Sequence, residues 1–208
     1  MPKVGMEPIR RRQIIDAALR QIAEKGMDGV RLEDIARDCG VSKGIVSYYF
    51  GSKRSVVLEA CRDFLSYFLE SPGESEGAMK IMDCVLDLLF LPPAPGSEHF
   101  GIPSASRRNL MLQIYAVADR DDEIAALVRE FYAGYEQGIG AIVEYGVSEG
   151  EFRAMDQQEM QDITRVIMSF LDGLIIRKLI SPPSQDASRE CRAFAGRIIG
   201  EWLGAAGR

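Results

Sequence analysis

The polar side chains that follow Gly40 offer the clearest chemistry in the sequence. The segment Val41–Phe50 reads VSKGIVSYYF, and helical spacing exposes small and polar residues on its first turn and outward face: Ser42, Lys43, Gly44, Ser47 and Tyr48. A helix with this face fits the major groove of DNA, where a lysine can donate to guanine O6 and N7 or to a phosphate. A serine can contact either a base or a phosphate. The pattern therefore predicts a helix that reads base edges.

A second group of residues lies just beyond this helix and suits contact with DNA phosphates. Tyr49 is followed by Ser52 and Lys53 at the start of the next predicted helix. The free N–H groups and the dipole at a helix N-terminus attract phosphate oxygens. The alternative is a helical hairpin whose polar face is only solvated, because short patterns of this kind also arise by chance in helical proteins.

Three short helices must position these side chains. The first is predicted from about Pro8 to Gly26 and the second from about Leu32 to Cys39. The third follows Ser42, whose hydroxyl can accept a hydrogen bond from a free backbone N–H. Small and branched side chains fall where two short helices would meet at a steep angle, namely Ile35, Ala36, Cys39, Val41 and Val46. This arrangement predicts a helix-turn-helix with Gly40 in its turn.

The rest of the chain shows apolar residues at helical spacing, without alternating strand patterns or hairpin turns. The sequence therefore predicts an all-α fold of about nine helices. The polar segment Ser71–Gly77 contains helix-breaking residues and marks a domain boundary. We predict an N-terminal DNA-binding domain over residues 1–53, a connecting helix over 54–70, and a C-terminal helical bundle over 71–208. Asp156 followed by Glu159 resembles a capping box that begins one helix of this bundle.

The charge of the chain is unevenly distributed. The 208 residues carry a formal net charge of −6. Residues 1–62 hold 12 Lys and Arg and 8 Asp and Glu, which gives +4 for this part and leaves −10 for residues 63–208. A small basic region beside an acidic one indicates nucleic acid as the partner of the N-terminal domain. The charge-free stretch Leu88–Ser97 has ten residues with three prolines, whereas a membrane span requires roughly 18 apolar residues. We therefore expect no membrane partner and a cytoplasmic location.

Residues typical of metal sites and catalytic centres are sparse. The four cysteines stand far apart with no C-x-x-C pair, and His99 is the one histidine, so no zinc site is predicted. No phosphate-binding loop, dinucleotide fingerprint or H-E-x-x-H motif occurs. We predict no metal, no cofactor, no catalytic residue and no enzymatic activity. A helical enzyme that acts on a small metabolite is the alternative, and turnover of a ligand would distinguish it.

The chain resembles the tetracycline-repressor (TetR) family of bacterial regulators over about Arg10 to Lys53. The segment VSKGIVSYYFGSK is similar to the recognition-helix signature of that family, and RRQIIDAALRQIAEKGMDGVRLEDIARDCG is similar to its first two helices. The opening MPKVGMEPIRRRQIIDAAL further resembles the choline-responsive branch that controls glycine betaine synthesis. The resemblance implies a repressor that binds a palindromic operator as a homodimer and is released by a small-molecule inducer.

The resemblance also implies roles for individual residues of the N-terminal domain. Base and nearby backbone contacts map to Ser42, Lys43, Gly44, Ser47 and Tyr48, and phosphate contacts map to Tyr49 and Lys53. Arg31 stands at a position that usually carries a helix-capping threonine. Its side chain has no oxygen acceptor, so either the second helix begins less firmly or Arg31 itself reaches a phosphate.

In the last helix, glycines recur every four residues and permit another helix to come close. Ordinary intrachain packing explains such a pattern as well, but the resemblance favours a dimer interface formed by the last two helices as a four-helix bundle. The predicted interface residues are Phe170, Leu174, Gly196, Ile199, Gly200 and Leu203.

Aromatic residues lie on the helices that line the inducer cavity in similar proteins. Those predicted to contact a ligand are Tyr115, Phe131, Tyr135 and Phe170. The expected inducer is choline-like or apolar, and a quaternary ammonium would favour aromatic rings with Glu136 or Glu144 nearby. Burial in the core is the ordinary alternative for such rings, and a DNA-binding dimer without an inducer is the alternative for the protein.

Overall fold

The computed structural model describes residues 7–69, 77–91 and 104–205, and its regular structure is helical. The described residues form nine α-helices and one 3₁₀ turn: α1 (Glu7–Gly29), α2 (Leu32–Asp38), α3 (Lys43–Phe50), α4 (Lys53–Ser66), the 3₁₀ turn (Tyr67–Leu69), α5 (Ala78–Phe90), α6 (Ser104–Ala118), α7 (Asp122–Ser148), α8 (Gln157–Ile180) and α9 (Gln185–Leu203). The predicted all-α fold is confirmed. No helix within the described ranges is long and apolar enough to cross a membrane.

The chain divides into two compact units. One takes its residues from 1–67 and 94–131, and the other from 68–93 and 132–208. Helix α7 contributes to both, because the division falls between Phe131 and Tyr132. The boundary predicted between residues 70 and 71 lies outside the described residues.

The first unit is built on α1, which packs against α2, α4 and α6. Its core face carries fully buried aliphatic side chains at helical spacing, including Ile14, Ala18, Leu19 and Ile22. Gly26 interrupts the regular helix with a φ of 78°, which a residue with a side chain rarely adopts. The predicted end of the first helix therefore coincides with this kink.

The second unit has its own hydrophobic core, formed by α5, α9, α8 and the second part of α7. The predicted capping box is present, since the Asp156 carboxylate accepts from the Glu159 N–H and the Glu159 carboxylate accepts from the Asp156 N–H. Arg192 on α9 pairs with Asp83 at 3.1 Å and Asp87 at 2.6 Å on α5. The Arg192 ion pairs therefore join α9 to α5 beside this core.

Candidate nucleic-acid interface and ligand site

Local capping sets the ends of the helix-turn-helix. The Ser42 hydroxyl accepts from the Ile45 N–H at 3.4 Å, as predicted, and α3 ends at Gly51 with a φ of 74°. Gly40 has a φ of 67° in the turn before α3, which favours glycine. Val46 and Phe50 are buried on the inner face of α3. These features leave the opposite face of α3 in solvent.

Arg11 on α1 holds the C-terminal end of α3 in place. Its guanidinium donates to the Tyr49 carbonyl oxygen at 2.8 Å, lies 4.5 Å from the centre of the Phe50 ring, and pairs with Glu59 on α4. A planar guanidinium suits such simultaneous contacts, because it offers five N–H groups and a flat face. Arg11 therefore joins three helices at the base of α3, a role that the sequence analysis missed.

Helix α2 is fixed to α1 by ion pairs. Arg20 binds Asp38 at 2.8 Å, and Lys25 binds Asp34 at 2.9 Å. The Lys25 ammonium lowers the pKa of Asp34, which keeps the pair charged near neutral pH. Arg31 is the residue before α2 and makes no side-chain cap. Its carbonyl oxygen instead accepts the Asp34 and Ile35 N–H groups at 3.0 and 3.2 Å.

The predicted base-contacting residues lie together on the first turn and outer face of α3. Ser42, Lys43, Gly44 and Tyr48 are exposed and Ser47 is partly exposed. Tyr48 has 75% of its surface in solvent, although tyrosine is seldom this exposed without a partner. Its ring meets Tyr49 edge-on at a centroid distance of 5.2 Å.

Two predicted DNA-contacting lysines are engaged within the protein. The Lys43 ammonium binds the Glu33 carboxylate on α2 at 2.7 Å, and this hydrogen bond lowers the pKa of Glu33. The Lys53 ammonium donates to the Asp28 carbonyl oxygen at 2.9 Å. Both side chains are at least partly exposed. An ammonium has three N–H groups, so each lysine retains donors for a phosphate or a base.

Arg54, in the first turn of α4, forms ion pairs with two acidic residues at the start of α7. It binds both carboxylate oxygens of Asp121 at 2.5 and 2.6 Å and the Glu123 carboxylate at 2.6 and 2.8 Å. Arg54 lowers the pKa of Asp121 to about 2. The Asp121 carboxylate also accepts a hydrogen bond from the Ile124 N–H, so Asp121 caps the N-terminus of α7. The helix that follows the recognition helix is thereby bonded to the start of α7.

The four predicted ligand residues are not gathered at one place within a unit. Tyr115 and Phe131 belong to the first unit, whereas Tyr135 and Phe170 belong to the second. Phe131 and Tyr135 are buried at 7% and 8% exposure. Phe170 packs on α9, with ring centres 5.1 Å from Trp202 and 6.1 Å from Phe194.

A polar cluster occupies the second unit between α7 and α8. Asp172 on α8 is partly buried, and the side chain of Tyr132 on α7 partly opposes the rise in its pKa. Burial raises the pKa of Asp172. Burial also raises the pKa of Tyr135, and the charge of Asp172 adds to that effect. Tyr132 is among the aromatic residues expected on the helices that line the inducer cavity in similar proteins, whereas Asp172 stands in no recognisable motif and was not predicted.

The two glutamates expected near a cationic ligand lie on the outer side of α7. Glu136 and Glu144 line an open groove of about 310 Å³ with Thr164 of α8. Glu136 pairs with Arg165 at 3.5 Å. They are therefore surface residues, in contrast to Asp172.

The predicted dimer-interface residues divide into two groups. Ile199 and Leu203 are fully buried in the core of their own chain, so the prediction is revised: their side chains cannot contact a second copy. Gly196 and Gly200 are also buried. The space beside Gly200 is open, however, because a Cβ built on it would meet no atom within 4 Å. Phe170 and Leu174 are partly exposed. The exposed apolar side chains of α8 and α9 are instead Val166 (48%), Ile176 (39%), Ile180 (73%) and Phe194 (40%).

An N-terminal helix-turn-helix with a solvated recognition helix, joined to a helical C-terminal bundle, defines a DNA-binding transcriptional regulator. Comparison with known protein families agrees. The model for bacterial regulatory proteins of the tetR family matches residues 14–60, and the model for the C-terminal part of the BetI-type transcriptional repressor matches residues 103–203. The chain belongs to the TetR family of bacterial regulators, with a BetI-type C-terminal domain, and it is a ligand-responsive DNA-binding repressor.

Individual relatives support both halves of this assignment. The HTH-type transcriptional regulator BetI of Agrobacterium fabrum is 51% identical over 65 residues, which are 31% of this chain and 32% of that protein. BetI of Escherichia coli is 27% identical over 201 residues, covering 91% of this chain and 92% of the other. The predicted resemblance to the choline-responsive branch is confirmed.

Solved structures share the fold. A transcriptional regulator from Saccharomonospora viridis in complex with choline has a TM-score of 0.72 at 23% identity, with 92% of this chain and 96% of that chain covered. A TetR-family regulator from Rhodococcus sp. has a TM-score of 0.73 at 19% identity, with 93% and 98% covered.

Proposed function

We propose that this repressor binds a palindromic operator as a homodimer, with α3 of each copy in the major groove, and that an organic cation bound by the second unit releases it. The observation that carries the proposal is the capped α3, which Arg11 anchors at its C-terminal end while its outer face is exposed. We assign no catalytic step to the protein, and we place it in the cytoplasm with its DNA.

In this proposal the residues of α3 and its neighbours make two kinds of contact with DNA. Ser42, Lys43, Gly44, Ser47 and Tyr48 contact bases and the nearby backbone, because they form the exposed first turn and outer face. Tyr49 and Lys53 bind phosphates near the start of α4, and Arg31 extends the phosphate contacts from the start of α2.

A second copy is the proposed partner for the exposed apolar face of α8 and α9. Val166, Ile176 and Ile180 recur at helical spacing on α8, and Phe194 lies on α9. Such a face on two adjacent helices suits a symmetric four-helix interface, in which the same patch meets its copy across a two-fold axis. Gly200 adds an open position where another backbone can approach closely.

The proposed inducer is a choline-like cation. Its support is the choline-bound relative of the same fold together with the carboxylate and tyrosines between α7 and α8. Release follows only if the cation binds the DNA-free conformation more tightly than the DNA-bound one.

The DNA-binding part of the proposal can be tested by fluorescence anisotropy with a labelled duplex from the region upstream of the protein's own gene. Lys43→Ala and Tyr49→Ala are expected to weaken binding at least about tenfold, equivalent to ~1.4 kcal/mol for each lost set of contacts. Lys80→Ala, which removes an exposed lysine of α5, is the matched control and should bind like the wild type. Unchanged affinity in both α3 variants would refute the assignment of α3 as the recognition helix.

The dimer can be tested by analytical ultracentrifugation. Phe194→Glu places a charge in the proposed interface and should shift the protein toward monomer, because a buried unpaired carboxylate opposes association. Gln161→Glu adds the same charge to an exposed position of α8 outside the apolar face and should leave the dimer intact. A wild-type protein that sediments as a monomer would contradict the proposal.

A further inference from the structure

Glu33 lies on the first turn of α2, where the recognition helix binds its carboxylate. The Lys43 ammonium, on the first turn of α3, contacts this carboxylate at 2.7 Å, and the side chains are 53% exposed for Glu33 and 58% for Lys43. In a helix-turn-helix the first residues of the second helix meet the base edges. In the proposed complex a negative charge therefore stands beside the DNA, which is itself a polyanion.

The pair that Glu33 forms with Lys43 differs from its neighbour on α2. Asp34, the next residue, binds Lys25 of α1 at 2.9 Å, and the Asp34 side chain is only 16% exposed. That pair joins α2 to α1 at a partly buried contact. The Glu33–Lys43 pair lies in solvent, where an ion pair contributes little to stability. Stability therefore does not explain the carboxylate of Glu33.

A paired lysine distinguishes between the two kinds of acceptor on DNA. Phosphate oxygens are anionic and attract a free ammonium at any sequence, with release of counterions. The guanine atoms O6 and N7 are neutral acceptors, and they require a correctly placed N–H more than a net charge. Glu33 offsets the charge of Lys43 but leaves it N–H groups to donate, since an ammonium has three. The pair therefore weakens attraction to phosphates more than it weakens hydrogen bonding to bases.

Arg31 is the other cation close to Glu33, two residues before it in the chain. The hydrogen bond from Lys43 contributes more than the charge of Arg31 to the lowered pKa of Glu33. The contact between the carboxylate and a cation at hydrogen-bond distance is the one with Lys43 among the ion pairs of the described residues. Arg31 therefore does not replace Lys43 as the partner of Glu33.

We propose that Glu33 is a specificity-determining residue of the repressor, which holds the Lys43 ammonium for base edges and reduces its attraction to the phosphates of unrelated DNA. The inference rests on the proposed function, in which α3 lies in the major groove. Glu33→Gln removes the charge of this side chain and keeps its shape. The variant should therefore bind unrelated DNA more tightly and gain little at the operator.

The experiment measures fluorescence anisotropy of two labelled duplexes with the full-length protein over a range of salt concentrations. One duplex is the fragment upstream of the protein's own gene, and the other is a scrambled sequence of the same length and base composition. Glu33→Gln should bind the scrambled duplex about fivefold more tightly than the wild type does, and the upstream fragment within about twofold. On the scrambled duplex, the slope of log affinity against log salt should steepen by about one for each recognition helix bound.

A matched variant controls for the change in net charge. Glu149→Gln removes the same charge from an exposed residue of the second unit, and it should bind both duplexes like the wild type. If it tightens binding to the scrambled duplex as much as Glu33→Gln does, net charge alone explains the effect and the inference is wrong.

A double variant tests whether Glu33 acts through Lys43. When Lys43→Ala is already present, the further change Glu33→Gln should not tighten binding to the scrambled duplex, because no ammonium is released. A gain of about fivefold in this background as well would show that the carboxylate repels DNA directly, which contradicts the proposed action on Lys43.

Two further outcomes separate the inference from the proposed function. If Glu33→Gln changes neither the affinity for the scrambled duplex nor its salt dependence, Glu33 does not set specificity, and the assignment of α3 as the recognition helix stands. If the wild type binds both duplexes equally, the operator proposal fails for the upstream fragment. The salt dependence of the wild type and of Glu33→Gln on the scrambled duplex still decides the inference in that case.

Discussion

Replacement of Arg11 by alanine should loosen the recognition helix without altering any residue that is proposed to contact DNA. The substitution removes the hydrogen bond to the Tyr49 carbonyl, the stacking on Phe50 and the pairing with Glu59. A hydrogen bond from a charged donor contributes about 1.5–3 kcal/mol, and the guanidinium over an aromatic ring about 0.5–1 kcal/mol. The ion pair is about one-third exposed and adds no more than ~1 kcal/mol. The free energy of unfolding should therefore fall by roughly 2–5 kcal/mol.

The assay is thermal unfolding followed by circular dichroism, with operator binding measured in parallel. The midpoint should fall on the order of 10 °C, and operator affinity should fall by about tenfold because the C-terminal end of α3 is no longer held. Arg10→Ala is the control, since it removes the same charge from α1 but only a 2.9 Å hydrogen bond to Gln13. If the two variants are equally stable and bind the operator equally, Arg11 does not position α3.

Three further predictions concern other parts of the molecule. Gly44→Ala should stabilise the fold by up to ~1 kcal/mol, because alanine favours a helix more than glycine does and the new Cβ would lie at an ordinary contact distance of 3.7 Å from the Ser42 Oγ. The same substitution should weaken operator binding, and unchanged binding would show that DNA does not approach Gly44. Cys61 is fully buried and burial raises its pKa to about 12, so iodoacetamide should alkylate it much faster in urea than in the folded protein, as mass spectrometry can measure. The pKa of Asp121, about 2 in the fold, lies below the usual value near 4. Its ion pair with Arg54 should therefore stabilise fully above about pH 4 and be lost as the pH falls towards 2, and Arg54→Gln should unfold at a higher pH during acid titration.

The helix-turn-helix was predictable because its determinants are local. The Ser42 cap and the Gly40 turn act within a few residues along the chain, and the buried Val46 follows from helical spacing. The capping box at Asp156 and Glu159 is local in the same sense. A sequence pattern of this length therefore carries enough information to place the recognition helix.

The contacts that depend on the tertiary fold were not predictable. Arg11 and Tyr49 are 38 residues apart, and nothing in the basic run around Arg11 distinguishes a structural arginine from one that meets DNA. Arg54 and Asp121 are 67 residues apart, so their ion pair likewise appears only in the folded chain. The glycine repeat of α9 predicts a close-packed face, but it could not show that Ile199 and Leu203 are buried in their own core or that the space beside Gly200 is open.

Helix α7 contributes residues to both units of the chain. Its N-terminal end is bonded to the first turn of α4 through Asp121 and Glu123, which bind Arg54, and the same helix later carries Tyr132. A ligand of the second unit would affect operator affinity only to the extent that it binds the DNA-free and DNA-bound conformations differently. By linkage, the operator would weaken ligand binding by the same factor by which the ligand weakens operator binding. The Arg54 contact is where a displacement of α7 would first act on the helix that follows α3.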